Sequence, residues 1–416
     1  MMDYYSEIHV RMEKYRDRHK NNPRIAALKM VMWNIFFIFY CPKGKKKNKD
    51  IVNLQVLDEC NLNVGFLLNG GIGDYIVILN YIYKFKQKYN NGNMIIDIFY
   101  DKNKKAAETL ISSQLADHRY FMMHDDIYEN EIHRKYDIFI DVSRYPNITN
   151  RNIDKIRILT PKLIDYFIEI EKFQLTDPRL MDSIPVFDGQ SAMIDKICNI
   201  KRIQQPDING ILKIKEEYEY PIEIKADEKE YLKKMNLENK KFIIIVSGAD
   251  VNCGGTESNK LWGNDKYNLL LKKIKEKYPD IVTIQTGTNK NDYRFEYIDR
   301  DLVCQTSLED TIILLKKAYL LVGNEGGMVH LRHAVHGGTS LVLFSSTDEE
   351  FFGYSENINI RGTGCPYPCE WLYDNWQTKC DNVNKFACMK SISVNMVMDE
   401  IDKYIQGEKS NDKVCS

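Results

Sequence analysis

The chain has 416 residues, 44% of them hydrophobic and 28% charged, enough for two or three domains with sizeable cores. A formal net charge of -1 gives no overall electrostatic attraction to nucleic acid, so no nucleic-acid partner is expected. Ten cysteines are too few for a disulfide scaffold at this length.

Residues 1–24 are highly charged, lack the apolar core of a signal peptide, and read as a polar helix or a frayed arm. Residues 25–40, IAALKMVMWNIFFIFY, are apolar but interrupted by Lys29 and Asn34, and KGKKKNK follows. That run falls short of the roughly 20 apolar residues of a membrane span. With its basic tail, the 25–48 segment suits peripheral contact with an anionic membrane face; the competing reading is a helix docked on the core or on a partner subunit. The expected location is cytoplasmic, with or without that contact at the inner face of the cell membrane.

From about residue 51 the pattern becomes α/β. Strands are predicted at Val64 to Leu68, Met94 to Tyr100, Tyr120 to Met123 and Tyr136 to Val142, with a helix at Tyr75 to Tyr89. Ile208 to Ile224 reads as a bridge to a second block. There strands are predicted at Lys241 to Ser247, Ile281 to Thr286, near Leu320 and at Ser340 to Phe344. Helices are predicted near Lys266 to Lys277, Leu308 to Lys317 and Met328 to Val335. Alternating strands and helices imply two doubly wound parallel sheets in tandem, with ligands at the carboxyl ends of their strands. The expected divisions are an extension 1–50, α/β domains 51–225 and 226–362, a cysteine segment 363–390 and a terminal helix and tail 391–416.

Two glycine-rich turns stand at strand ends. Asn69-Gly70-Gly71-Ile72-Gly73-Asp74 follows the first strand, and Gly323-Asn324-Glu325-Gly326-Gly327 precedes the helix bearing His330 and His333. Such turns let backbone approach a ligand, and the N–H groups at the helix start attract phosphate. The plain alternatives are tight turns without ligand, an N-cap role for Asp74 and a core role for His330. Lys260 by itself reads as a solvated surface lysine.

GNEGGMVHLRHAVHGGTSLVLFSSTD, read with NGGIGDYIVILN and with Ser247-Gly248-Ala249 ahead of Asn259-Lys260-Leu261-Trp262, resembles glycosyltransferase family 9, the bacterial heptosyltransferases. The chain departs from the family pattern at Glu325 (aspartate), Gly326 (a hydroxyl residue), Thr339 (proline) and Ser345 (glycine). The resemblance implies a GT-B fold, two Rossmann-like domains facing a cleft, and an inverting transferase. That enzyme moves a sugar, heptose in this family, from a nucleoside-diphosphate donor similar to ADP-heptose. It implies Asp74 as general base, Lys260 on the donor phosphate, and Asn324, Glu325, Gly326, Gly327 and His330 at the donor. Gly71, Gly73, Ser247, Thr286 and Gly287 complete the expected donor contacts. No D-x-D motif stands at a credible strand end, so catalysis without a metal is expected. The expected acceptor is a cell-envelope glycan or lipid-linked sugar of lipopolysaccharide or capsule synthesis. The alternatives are a protein hydroxyl acceptor and a catalytically silent nucleotide-sugar-binding scaffold.

Cys365-x3-Cys369-x10-Cys380-x7-Cys388 is the remaining motif. Four thiolates this close could wrap a structural Zn²⁺ or iron in a tetrahedral knuckle with no open position; the alternative is four reduced cysteines without metal.

Overall fold

The structure, a computed structural model, describes residues 57–176, 185–248, 258–289, 292–371, 376 and 379–412. The extension 1–50, with the interfacial segment expected at 25–48, lies outside the described residues. Leu62–Leu68 (β1) is buried at every position, the pattern of a strand covered on both faces. Beside it run Met94–Tyr100 (β2) and His118–Phe121 (β3) on one side, and Ile138–Val142 (β4) and Pro146–Arg151 (β5) on the other. The order is β3-β2-β1-β4-β5, parallel except where β5 returns antiparallel to β4. β5 carries no apolar run and starts with a proline, as suits a sheet edge, so periodicity gives no hint of it.

The second sheet contains Phe242–Val246 (β6), Val282–Gln285 (β7), Arg300–Asp301 (β8), Leu320–Asn324 (β9), Ser340–Phe344 (β10) and Ile358–Arg361 (β11). Its order is β11-β10-β9-β6-β7-β8, parallel throughout. The two edge strands, β8 and β11, are too short to be read from sequence pattern. Two parallel sheets wound with helices bear out the expected α/β architecture. In each sheet the chain order reverses beside the first strand, between β1 and β4 and between β6 and β9. Those are the points where open sheets leave a crevice for ligands.

The halves share apolar packing. One buried cluster runs from Leu62, Tyr75 and Phe85 in the first half to Ile312, Leu321 and Leu331 in the second. The helix Ile72–Tyr89 is buried along most of its length and is the first half's main contribution to it. The predicted bridge is tied to this helix: the Asn80 side-chain oxygen accepts from the Glu219 and Tyr220 N–H groups, 3.1 Å each.

Where the halves meet, their glycine turns touch. A Cβ added to Gly73 would lie 2.8 Å from His330 Cδ2 and 3.4 Å from Gly327 Cα; one added to Gly327 would lie 3.2 Å from the Gly73 nitrogen. Gly70, at φ +102°, sits in the left-handed region that favours glycine, and a Cβ there would lie 2.3 Å from the Asp74 carboxylate. Because His330 is itself buried, Gly73→Val should cost about 1–3 kcal/mol in urea unfolding. An unchanged or raised midpoint would mean that the halves do not meet this closely.

Candidate active site

Asp74 sits in the first turn of the helix Ile72–Tyr89, where its Oδ2 accepts from the Gly71 N–H at 2.9 Å. The N-cap of this helix is Gly71, not Asp74; Asp74 is the third helical residue and reaches back to the N-cap N–H with one oxygen. Oδ1 receives the Arg202 Nη2 at 2.8 Å, and the same nitrogen reaches the Ser143 carbonyl at 3.3 Å. Arg202 comes from a 3₁₀ turn, Arg202–Asp207, and its side chain is 7% exposed while that of Asp74 is 42% exposed. Burial pushes the Asp74 carboxyl up, but Arg202 and the Gly71 N–H outweigh it and hold the group below the usual carboxylate range. The front half thus presents an ionised acid whose position is set by a guanidinium.

In the back half, Glu325 follows β9 and is almost fully buried. Its Oε2 receives the Lys260 ammonium at 2.6 Å and the Thr347 hydroxyl at 3.1 Å. Burial acts to raise its carboxyl, yet Lys260 and then His330 pull it below the ordinary value. Both partners are largely buried, so removing either alone leaves an uncompensated charge costing about 3–5 kcal/mol. The longer glutamate in place of the family's aspartate is what spans to Lys260 here. A Cβ at Gly326 would meet nothing within 4 Å, so packing does not exclude the family's hydroxyl residue there. Gly327 opens the helix Gly327–Ala334.

His330 links the two halves. It is 5% exposed, its Nδ1 lies 2.5 Å from the Tyr354 hydroxyl, and its Nε2 is 3.9 Å from Glu325 Oε1. Its neighbour His333 stacks on Tyr354 at 3.6 Å and bonds Glu356 and the Glu216 carbonyl, a packing role. Arg332, fully buried, donates to the carbonyls of Leu315, Ala318 and Gly338, and so caps the helix Leu308–Lys317. Asp74 with its glycine loop, Lys260, Glu325, Gly327 and His330 are therefore brought together.

Other expected residues fall nearby with different work. Asn324 staples the sheet at the β6/β9 reversal: its amide donates to the Ser247 carbonyl at 3.1 Å and its oxygen accepts from Tyr267 at 3.0 Å. Thr286 and Gly287 stand at the end of β7. Asp292 lies within 4.0 Å of Cβ positions built on both Gly248 and Gly287, so it spans the ends of β6 and β7. Trp262 is 3% exposed and donates its indole N–H to the Ile392 carbonyl at 2.9 Å, which makes it a packing residue.

The four cysteines of the motif are neighbours. Burial pushes the Cys369 thiol up to about 11 and the Cys388 thiol up to about 12; Cys380, Cys365 and Glu370 add to the first rise, and Cys365, Cys369 and Cys380 to the second. Cys380 Sγ accepts from the Phe386 N–H at 3.1 Å and Cys365 Sγ from Asn382 at 3.5 Å. The donor chemistry suits a soft or borderline cation. Among the described residues, however, no three or more His, Cys, Asp or Glu side chains are gathered into a metal-holding group.

Sequence reading missed Arg202, Tyr354, Thr347 and Glu370. Glu370 is 5% exposed, accepts from the Asp348 N–H at 3.1 Å, and is pushed up to about 8, chiefly by burial. Arg202 and Tyr354 lie outside every motif; Thr347 ends the second glycine-turn motif and Glu370 sits inside the cysteine motif, but neither position carried a chemical signal of its own.

Burial lowers His330 to about 4, aided by Arg202 and His333 against Glu325 and Asp74. As pH falls below about 6.5 the unfolded chain takes up this proton and the folded one does not, so stability drops, by up to about 1.4 kcal/mol per pH unit. His330→Gln should flatten the urea-midpoint profile between pH 6.5 and pH 5 relative to the parent. Parallel profiles would contradict a buried neutral imidazole.

Residues 210–371 match the model of glycosyltransferase family 9 (heptosyltransferase). A curated relative, lipopolysaccharide heptosyltransferase 1 of Campylobacter coli, is 32% identical over 143 residues, which is 32% of this chain and 40% of that protein. The match thus spans well under two thirds of the relative's length. Among solved structures, E. coli ADP-heptose lps heptosyltransferase II is similar at TM-score 0.50 and 14% identity, over 83% of this chain and 99% of that one. The family 9 glycosyl transferase from Veillonella parvula DSM 2008 gives TM-score 0.51 at 10% identity, over 84% and 99%. The iron-containing dodecameric glycosyltransferase TibC from enterotoxigenic E. coli H10407 gives 0.53 at 11%, over 83% and 77%. At such identities these structures speak for the fold, the two-sheet GT-B-like arrangement. The family match covers residues 210–371, the part of the chain that holds the Lys260 and Glu325 motifs, and there it agrees with the resemblance those motifs carry.

Proposed function

We propose that the chain is an inverting glycosyltransferase. It moves heptose from a nucleoside-diphosphate donor such as ADP-heptose to a hydroxyl of a cell-envelope glycan or lipid-linked acceptor. The observation that carries this reading is the meeting of an ionised acid from one half with a buried lysine and a helix N-terminus from the other, around His330. The family match and the heptosyltransferase named as its curated relative support the sugar; the solved relative's ADP-heptose supports the donor.

In this reading the donor diphosphate sits at Lys260 and the N–H groups of the helix Gly327–Ala334, where positive charge and unpaired donors favour an anion. The acceptor oxygen attacks the anomeric carbon from the face opposite the diphosphate. Its proton passes to Asp74, and the diphosphate departs with the electrons of the broken glycosidic bond. Lys260 matters most at that moment, when charge builds on the leaving group. The diphosphate must compete with Glu325 for the ammonium, which ties donor binding to a rearrangement of that pair. His330, held neutral by burial, adds no charge of its own.

A scaffold that binds nucleotide sugar without turnover is favoured by one observation, the closed Lys260–Glu325 pair. Release of ADP from ADP-heptose in the presence of an envelope glycan fraction separates the readings. Turnover is expected, and Asp74→Asn should lower it by about 10²–10⁴-fold while ADP affinity stays within a few-fold. Full turnover by Asp74→Asn would remove the base from the mechanism. Tight ADP binding with no turnover by the parent would favour the scaffold.

The same proposal keeps a structural zinc or iron on Cys365, Cys369, Cys380 and Cys388, supported by four soft sulfur donors within 24 residues of sequence. The sulfurs would have to draw together around it. About one equivalent of metal per chain is expected by elemental mass spectrometry, falling in Cys380→Ser; a metal-free, equally stable parent would contradict it. Among the described residues no helix is long and apolar enough to cross a membrane.

A further inference from the structure

The cysteine segment reaches the candidate donor site. Asn259, 1% exposed, donates its side-chain amide to the Trp376 carbonyl and lies 4.0 Å from Cys369 Sγ. Trp376 stands between Cys369 and Cys380 in sequence, and its ring centroid is 5.2 Å from the Lys260 ammonium. Glu370, next to Cys369, is buried within electrostatic reach of both Lys260 and Glu325. The segment therefore touches the lysine's surroundings at more than one point. Its contact through Trp376 differs from the Glu325 contact in kind. A carboxylate neutralises the ammonium and competes with an incoming phosphate. An aromatic face attracts the cation through its quadrupole, most strongly where water is displaced, and leaves the full positive charge available.

We infer that Trp376 is a positioning residue of the donor site. Its ring holds the Lys260 ammonium in place while the lysine exchanges Glu325 for the diphosphate of a nucleoside-diphosphate ligand. The four-cysteine segment then has a second consequence besides its own fold: it sets where that ring stands. This inference rests on the donor-site reading proposed above, and the experiment keeps the two apart.

Calorimetric titration with ADP compares the parent, Trp376→Phe and Trp376→Leu, each checked for an unchanged melting temperature. Trp376→Leu, which removes the π face, is expected to bind ADP roughly tenfold more weakly; Trp376→Phe should stay within about threefold of the parent. The change in tryptophan emission on adding ADP to the parent should shrink in Trp376→Phe, because the reporting indole is gone. That arm decides the matter if the leucine variant does not fold. Equal ADP affinity in parent and Trp376→Leu would overturn the inference while leaving the donor site intact. Equal weakening by Phe and Leu would also overturn it, since only bulk would then matter. A parent that binds no ADP would defeat the donor-site reading and this inference with it.

Discussion

Gly73 and Gly327 have no side chains, and that absence lets two half-molecules bring their ligand-ready strand ends into contact. Each lies in the first turn of a helix that follows a strand at the chain reversal of its sheet, β1 in one and β9 in the other. The reversal creates a crevice in each sheet, and the glycine contact joins the crevices. A side chain at Gly73 would run into the His330 ring, and one at Gly327 would press on the Gly73 backbone.

Around that contact the charges are balanced in pairs. Arg202 faces Asp74, Lys260 faces Glu325, and the neutral His330 lies between them. Pairing makes it tolerable to keep Arg202, Lys260 and Glu325 in a largely dry interior. It also means that each functional group is already engaged before a ligand arrives. An anionic ligand that took Lys260 from Glu325 would keep the cation paired but would leave the buried Glu325 carboxylate to its Thr347 contact, so the proposed diphosphate binding requires that carboxylate to move or be compensated. Asp74 differs, because part of it remains open to solvent and its second oxygen is committed to a helix start rather than to another charge.

The fold was legible where buried strands are long and uniformly apolar. β1, β2, β6, β9 and β10 all read through, because a strand covered on both faces has no alternation to confuse. β5, β8 and β11 did not: each is an edge strand, short or polar, stabilised by one neighbour rather than by its own pattern. The site divides the same way. Asp74, Lys260, Glu325 and His330 lie in motifs beside glycines or strand ends, so their neighbourhood could be read in one dimension. Arg202, Tyr354, Glu370 and Trp376 come from a 3₁₀ turn and from loops whose local sequence has no periodic or turn signature. Only tertiary packing brings them to the same place. Thr286 and Gly287 show the opposite limit, a plausible strand-end motif whose neighbour, Asp292, no spacing rule would have named.

The most direct measurement is a crystal structure of the protein with ADP bound. The account predicts the diphosphate at the amino end of the helix Gly327–Ala334, with Lys260 moved from Glu325 onto a phosphate oxygen and the Asp74 carboxylate facing the same space across the glycine contact. A nucleotide seated elsewhere, with the Lys260–Glu325 pair undisturbed, or an Asp74 that opens onto a different surface, would contradict it.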